Sequence, residues 1–234
     1  EVIDGEVIFA NKKEAVVQDS NGNELVLPRS EQMQSDFFKK GDYVKAVVLS
    51  VENEHRPVVL LSRRSTRLLE HLLEFEIPEI MDCLITIKSI ARAAGEKSKV
   101  VVESYDDRID PIGICVGTKG SRLFSIKREL NGENIDIISY TQNLSLLIQR
   151  ALSPAKSSLV KIDEDSKTAT VTMKGDQIAL AIGKGGVNIK LARQLTGYDI
   201  EVYSEDVELV DDVIIDDFSD EIDEWIINIF KEIG

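Results

Sequence analysis

The chain has 234 residues, 43% hydrophobic and 30% charged, with a formal net charge of −14. This composition excludes a disordered polymer, and no apolar run approaches the length of a bilayer span. Residues 201–234 carry 13 Asp/Glu against one Lys, whereas residues 83–200 carry 17 bases and 13 acids, so the acidity belongs to the tail and does not exclude an anionic ligand in the middle of the chain.

The sequence opens at Glu1 in a strand pattern, without Met and without a basic segment leading an apolar one, so a fragment lacking a signal peptide is expected. Residues 1–63 read as five short strands. EVIDGEVIFA, EAVVQDS, ELVLPR, DYVKAVVLSVE and PVVLLSR are Val-rich and partly alternating, and Ser20-Asn21-Gly22-Asn23 is a hairpin turn signal. At this size they predict a closed OB-type barrel, with a small sandwich or an SH3-like barrel as the competing reading. Phe9, Phe37, Phe38 and Tyr43 offer stacking surfaces, although core packing accounts at least as well for Phe37 and Phe38. Residues 64–78 read as a linker helix, with Leu68, Leu69, Leu72 and Leu73 on one apolar face and Pro78 closing it.

From residue 79 the chain repeats itself. In the first copy (79–152), CLITIKSIARAA and SKVVVES pair as strands. DPIGICV starts a short helix with Asp110 as cap and Pro111 in its first turn, Gly117-Thr118-Lys119-Gly120 is a loop, SRLFSIKREL is a helix and NIDIISY a strand. The second copy (153–204) has the same order. SSLVKID and KTATVTM form a hairpin, DQIALAI is a helix capped by Asp176, Gly183-Lys184-Gly185-Gly186 is the loop, VNIKLARQL a helix and YDIEVYS a strand. Between the copies QNLSLLIQRAL reads as a helix ended by Pro154. Leu130-Asn131-Gly132 and Leu195-Thr196-Gly197 close the two copies.

Glycine reaches positive φ cheaply and lets a ligand approach the backbone, and a helix starting directly after such a loop presents amide donors and the positive end of its dipole. Neither loop is a P-loop, which needs G-x-x-x-x-G-K-[ST], and Asn188 stands where a dinucleotide fingerprint would need its last glycine. A single G-x-x-G would be only a helix–turn–helix bend. The recurrence of basic side chains at both loops favours a shared phosphate-holding role, and Ile126 and Leu191 on the following helices are expected in the core.

The arrangement of two strands, helix, G-x-x-G, helix and strand resembles a type II KH domain, here in tandem. KH domains clamp about four nucleotides of single-stranded RNA or DNA at that loop. With IPEI (77–80), IARAAGEKSKVVV (90–102), DPIGICVGTKGSR (110–122), ELNGENIDII (129–138), LAIGKGGVNIKLARQLTG (180–197) and the barrel segments LVLPRSEQM, FKKGDYVKAVV and LLSRRS, the chain resembles the NusA family of transcription elongation and antitermination factors. The resemblance implies an α+β, multidomain protein: a five-stranded OB-type β-barrel of the ribosomal S-one kind, then two type II KH domains, each a three-stranded sheet with helices on one face. It implies nascent single-stranded RNA, RNA polymerase and other antitermination factors as partners, although the family's polymerase-binding N-terminal domain has no counterpart in this sequence. The RNA-binding residues it implies are Gly117, Thr118, Lys119, Gly120, Ser121 and Arg122 in the first copy, and Gly183, Lys184, Gly185, Gly186, Asn188 and Lys190 in the second. Lys119 stands where the family often has Arg, and an ammonium cannot hold phosphate bidentately. Gly185 is an additional glycine.

Residues 205–234 are an acidic tail in which SDEIDEWIINIFKEIG has helical amphipathic spacing. The simpler account is a helix packing on the body or beginning another domain; partner docking, or repulsion of RNA from the wrong surface, is the sharper one. Asp106, Asp107 and Asp110 read as a solvated loop plus a helix cap, not a metal site. No Ser/His/Asp set or paired-carboxylate motif appears, and His55, His71, Cys83 and Cys115 are isolated. A nonenzymatic, cofactor-free, metal-free, cytoplasmic monomer that binds RNA is expected, with no membrane partner. The alternatives are the RNA-binding part of a decay enzyme related to polynucleotide phosphorylase, where the KH domain precedes the barrel and a catalytic core is present, and a protein-interaction scaffold.

Overall fold

The computed structural model describes residues 1–52, 57–106 and 108–205. His55, Asp107 and the amphipathic segment of the acidic tail lie outside the described residues. The five expected strands are β1 (Val2–Ala10), β2 (Glu14–Gln18), β3 (Glu24–Pro28), β4 (Tyr43–Glu52) and β5 (Val58–Ser62). They close in the order β1-β2-β3-β5-β4, with β4 returning antiparallel to β1 and β3 meeting β5 in parallel at Val26 and Leu60. That closure is the OB-type arrangement and excludes the open sandwich. Alternation along the strands turns Val7, Val17, Leu25, Leu27, Val44, Ala46 and Leu61 into one small core.

The first repeat contains α1 (Thr66–Glu76), α2 (Pro78–Met81), β6 (Thr86–Ala93), β7 (Lys97–Glu103), α3 (Pro111–Val116), α4 (Ser121–Glu129) and β8 (Asn134–Ser139). The second contains α5 (Leu144–Ala151), β9 (Leu159–Asp163), β10 (Thr168–Met173), α6 (Gly175–Ile182), α7 (Val187–Thr196) and β11 (Asp199–Ser204). In each sheet the middle strand runs antiparallel to the strand before it and parallel to the strand that follows the two helices. Asp110 caps α3 by accepting from the Ile112 amide at 3.1 Å, and Pro111 occupies the first turn where no backbone donor is needed. Asp176 does not cap α6: the helix starts one residue earlier, at Gly175, with Lys174 at the cap.

Two helices are more than connectors. The Leu68, Leu69, Leu72 and Leu73 face of α1 is buried in the first KH core with Ile85, Val100, Val102, Ile126 and Leu130. Ile148 and Ala151 of α5 are buried with Ala169, Val171, Leu191 and Ala192 of the second. Each module therefore begins with its own helix. An apolar stripe announces that a helix must be covered, but not which sheet covers it.

Buried polar contacts fix the modules to one another. Arg63, at the barrel exit, donates to Asp36 (3.0 Å) and to the Lys45 carbonyl (2.6 Å) within the barrel, and to the Glu129 carbonyl (2.9 Å) at the end of α4. The free Asp36 oxygen accepts from Asn131 at 2.6 Å. Arg92 on β6, paired within its own module with both oxygens of Glu133 at 2.9 Å, reaches out to Met33 Sδ of the barrel region at 3.7 Å, and the Arg92 and Glu133 side chains are fully buried. Lys99 on β7, also fully buried, reaches Asp136 on β8 and the Ser153 carbonyl between the repeats, both at 3.0 Å. Burial pulls the Lys99 ammonium below its usual range while Asp136 opposes the shift. Removing one partner of such a buried pair costs about 3–5 kcal/mol.

Candidate nucleic-acid interface

The two glycine loops have the same backbone. Gly117 (φ 75°, ψ 174°) and Gly183 (φ 74°, ψ 175°) end α3 and α6, and Gly120 (φ 78°) and Gly186 (φ 74°) stand left-handed at the caps of α4 and α7. Between them Lys119 (φ 53°) occupies the left-handed position that Gly185 (φ 60°) fills in the second loop. The additional glycine is thus the unstrained residue for that position, and Lys119 is the strained one. The two lysines are not equivalent: Lys184 matches Thr118 in position, one residue earlier in the loop.

A Cβ on the first glycine of either loop would collide, 2.9 Å from Arg122 Cγ at Gly117 and 2.7 Å from Asn188 Cβ at Gly183. At Gly120, Gly185 and Gly186 it would meet open space. The inner glycine is there for packing, and the outer ones keep the loop's outer surface bare. No side chain caps α4 or α7. The bend before each exposes bare glycine beside Thr118 and Lys119 in the first loop and Lys184 in the second. Its last amides (Gly120 and Ser121, Gly186 and Val187) donate within the bend itself, which leaves the amides between the glycines and those farther into the first turns to face a ligand. This is a donor set suited to phosphate oxygens.

The twelve candidate residues divide. Thr118, Lys119, Ser121, Lys184 and Gly185 are exposed around the bends. Arg122 and Asn188 point inward. Arg122 donates to Glu79 (2.9 and 3.2 Å) and to the Ile114 carbonyl (2.8 Å); Asn188, 3% exposed, donates to the carbonyls of Leu180 (3.3 Å), Ala181 (3.0 Å) and Leu152 (3.1 Å). Ile114 and Leu180 are equivalent positions, so both side chains tie the second helix to the same carbonyl of the first. Partial burial is the largest single influence on the Glu79 carboxyl and raises it, but the Arg122 hydrogen bond, a backbone hydrogen bond and the Arg122 charge together leave it below its ordinary range. Lys190 is exposed one helical turn beyond Gly186, where it lines a pocket of about 330 Å³ at the meeting of the three modules, shared with Gln34 and Arg64.

Two grooves join the loops. One, of about 440 Å³, runs from Gly120 along Leu123, Phe124 and Lys127 of α4 to Asn134, Ile135 and Asp136 of β8. The other, of about 970 Å³, runs from Gly183, Lys184 and Gly185 to the turn at Gly95 and Glu96. Both are lined by Lys97, Asn134 and Pro154, which makes them one path from the first bend to the second. Phe124, Lys127, Lys97 and Asn134 were not among the candidate residues. Helical spacing places Gly120, Phe124 and Lys127 on one face and could have drawn attention to two of them, but Lys97 and Asn134 are brought in by sheet pairing. Ile126 and Leu191 are core residues, as expected.

On the barrel, Phe38 packs inward under Arg63, whereas Phe37 is 81% exposed beneath Arg29 and lines a groove of about 520 Å³ with Lys12 and Lys39. Of the acidic loop before α3, Asp106 is held by Arg108 at 2.7 Å. Among the described residues no cluster of three or more His, Cys, Asp or Glu could hold a metal ion, and no helix is long and apolar enough to cross a membrane.

Comparison with known proteins agrees with this architecture. Residues 63–140 match the NusA-like first KH domain and residues 144–209 the NusA-like second KH domain. These matches begin just before α1 and at α5. The chain is 38% identical over 215 residues to the transcription termination/antitermination protein NusA of Thermus thermophilus, covering 92% of this chain and 56% of that protein. It is 42% identical over 183 residues to the proteins of the same name in Halalkalibacterium halodurans and Bacillus subtilis, covering 78% of this chain and 48% and 49% of theirs. The chain therefore spans about half the length of the curated relatives it matches.

Proposed function

Because the chain belongs to the NusA family of transcription termination/antitermination proteins, we propose that it holds nascent single-stranded RNA beside RNA polymerase and thereby modulates pausing, termination and antitermination. The observation that carries this reading is the single path joining the two glycine bends. Loop amides, the first turns of α4 and α7, and Lys119 and Lys184 hold the sugar–phosphate strand; Gly117, Thr118, Gly120, Ser121, Gly183, Gly185 and Gly186 shape or line the two bends. Arg122 and Asn188 position the bends from behind. Lys190 meets the strand only if it runs on toward the barrel. There the exposed Phe37, with Lys12, Arg29 and Lys39, supplies a further cationic and aromatic surface.

Fixed modules make the second and third contacts intramolecular and raise avidity without tight binding at any one. Affinity resting on phosphate contacts falls with salt, with a log–log slope of about −0.7 per neutralised phosphate on a single strand. RNA polymerase and other antitermination factors are partners by family membership, and the protein acts as a cytoplasmic monomer. The names of the relatives do not favour the RNA-decay alternative.

Fluorescence anisotropy with labelled single-stranded and duplex RNA tests the RNA reading. Gly120→Asp combined with Gly186→Asp places two carboxylates on the outer surface of the bends, where there is space for a side chain and the positive φ adds a backbone strain that a thermal melt reads separately from binding. Single-strand binding is expected to fall at least about 100-fold, roughly 3 kcal/mol, with circular dichroism retained. Unchanged binding would support the scaffold reading. RNA footprinting on an arrested elongation complex, with and without the protein, tests the transcription part.

A further inference from the structure

We propose that Phe124 is a base-stacking residue of the first KH groove, so that the first module takes one base of the strand face-on, while the second carries a cation, Lys190, at the equivalent position. The proposal rests on reading the glycine bends as an RNA site and adds to it the manner in which one base is recognised.

Phe124 does not serve the core. Helix α4 buries Ile126 and packs Leu123 against the same cluster, while Phe124 is 67% exposed. It stands four residues after Gly120, one helical turn along the same face, within reach of a strand whose phosphate lies at the bend. The ring lines the groove together with Leu123 and with Ile135 of β8. Lys127 lines the same groove, its ammonium donating to Asn134 Oδ1 across to β8 at 2.6 Å. The groove thus offers an apolar plane for the face of a base and an ammonium–amide pair for its edge. Arg29 lies over the exposed ring of Phe37 at 5.9 Å and Lys45 over that of Phe75 at 5.4 Å. Among the described residues no such cation covers Phe124, and its face is open to a ligand. A base–aromatic stack tolerates any base and contributes little salt dependence, because every base has a π-face and no phosphate is neutralised.

Two KH modules engage about four nucleotides each, so the probe is a single-stranded RNA of about 12 nucleotides in a series with each nucleotide in turn made abasic, titrated by anisotropy against the whole chain. With wild type, one abasic position is expected to weaken binding about ten-fold, within the range for one stacked base. Phe124→Ala should weaken binding to the intact RNA by the same factor, lose nothing further at that abasic position, and keep the wild-type salt slope. Phe124→Trp should restore affinity. The proposal is overturned if Phe124→Ala binds intact RNA as wild type does, or if its loss adds to the abasic loss at every position. Failure of wild type to bind any member of the series would instead overturn the underlying RNA reading.

Discussion

The two KH modules share strand order, loop backbone and the clamp behind the loop, yet their sheets live in different surroundings. In the first, Lys99, Val100, Val101 and Val102 of β7 are all buried, because α1, α3 and α4 cover one face and α7 of the second module packs on the other. In the second, β10 alternates, with Ala169, Val171 and Met173 buried and Thr168, Thr170 and Thr172 facing outward with Lys161 and Glu201. A strand covered on both faces reads as a continuous apolar run, and one covered on a single face as alternation. The same fold thus carries two patterns, and the difference teaches that KVVV against TATVTM records a neighbour rather than a change of fold.

The comparison extends to the bends and can be broken there. Gly183→Ala would bring its Cβ to 2.7 Å from the Cβ of a buried residue, while Gly117→Ala would meet the movable stem of Arg122, at the same positive φ. The expected costs are about 3 kcal/mol for Gly183→Ala and about 2 kcal/mol for Gly117→Ala, read from urea midpoints. Equal costs would mean that the second clamp is as compliant as the first.

Removing the clamps themselves should separate the modules further. Asn188→Ala strands three carbonyls behind the second bend, two of them in buried bonds, at about 2 kcal/mol. Arg122 and Glu79 remain partly solvated, with 29% and 27% of their side chains exposed, so Arg122→Ala should cost about 1 kcal/mol. Thermal melts would show which clamp matters more; a larger loss at Arg122 contradicts the ordering.

The smallest effect concerns the strained lysine. Lys119→Gly makes the first bend resemble the second, and relief of the left-handed backbone should stabilise the chain by about 1 kcal/mol. The same variant should make the RNA-binding salt slope shallower by about 0.7. Lys184→Ala should change the slope by a similar amount and leave stability alone, because Lys184 has no positive φ to relieve. A Lys119→Gly variant that melts with wild type would show that the loop tolerates this conformation without cost.

Much of the fold was legible because its signals are local. SNGN at the β2–β3 hairpin, Asp110-Pro111 at a helix start and Val-rich alternation in the barrel each act within a few residues. The duplicated G-x-x-G marks both bends, because each needs glycine where the chain turns left-handed. Orientation is what the sequence could not show. Arg122 and Asn188 look like surface partners of an anion when read beside a loop, yet both turn toward carbonyls of the preceding helix. Phe124 lies on the same helix as the core residue Ile126, yet it faces solvent.

The sequence by itself determined the five N-terminal strands, the repeat and the places where the backbone must turn left-handed, since those follow from short-range sterics, capping and periodicity. Tertiary structure alone decided that α1 and α5 belong to the modules they precede, that Lys97 and Asn134 join two grooves, and which polar side chains serve packing. Those outcomes depend on contacts between residues tens of positions apart, and no local preference encodes which face a neighbouring module will cover.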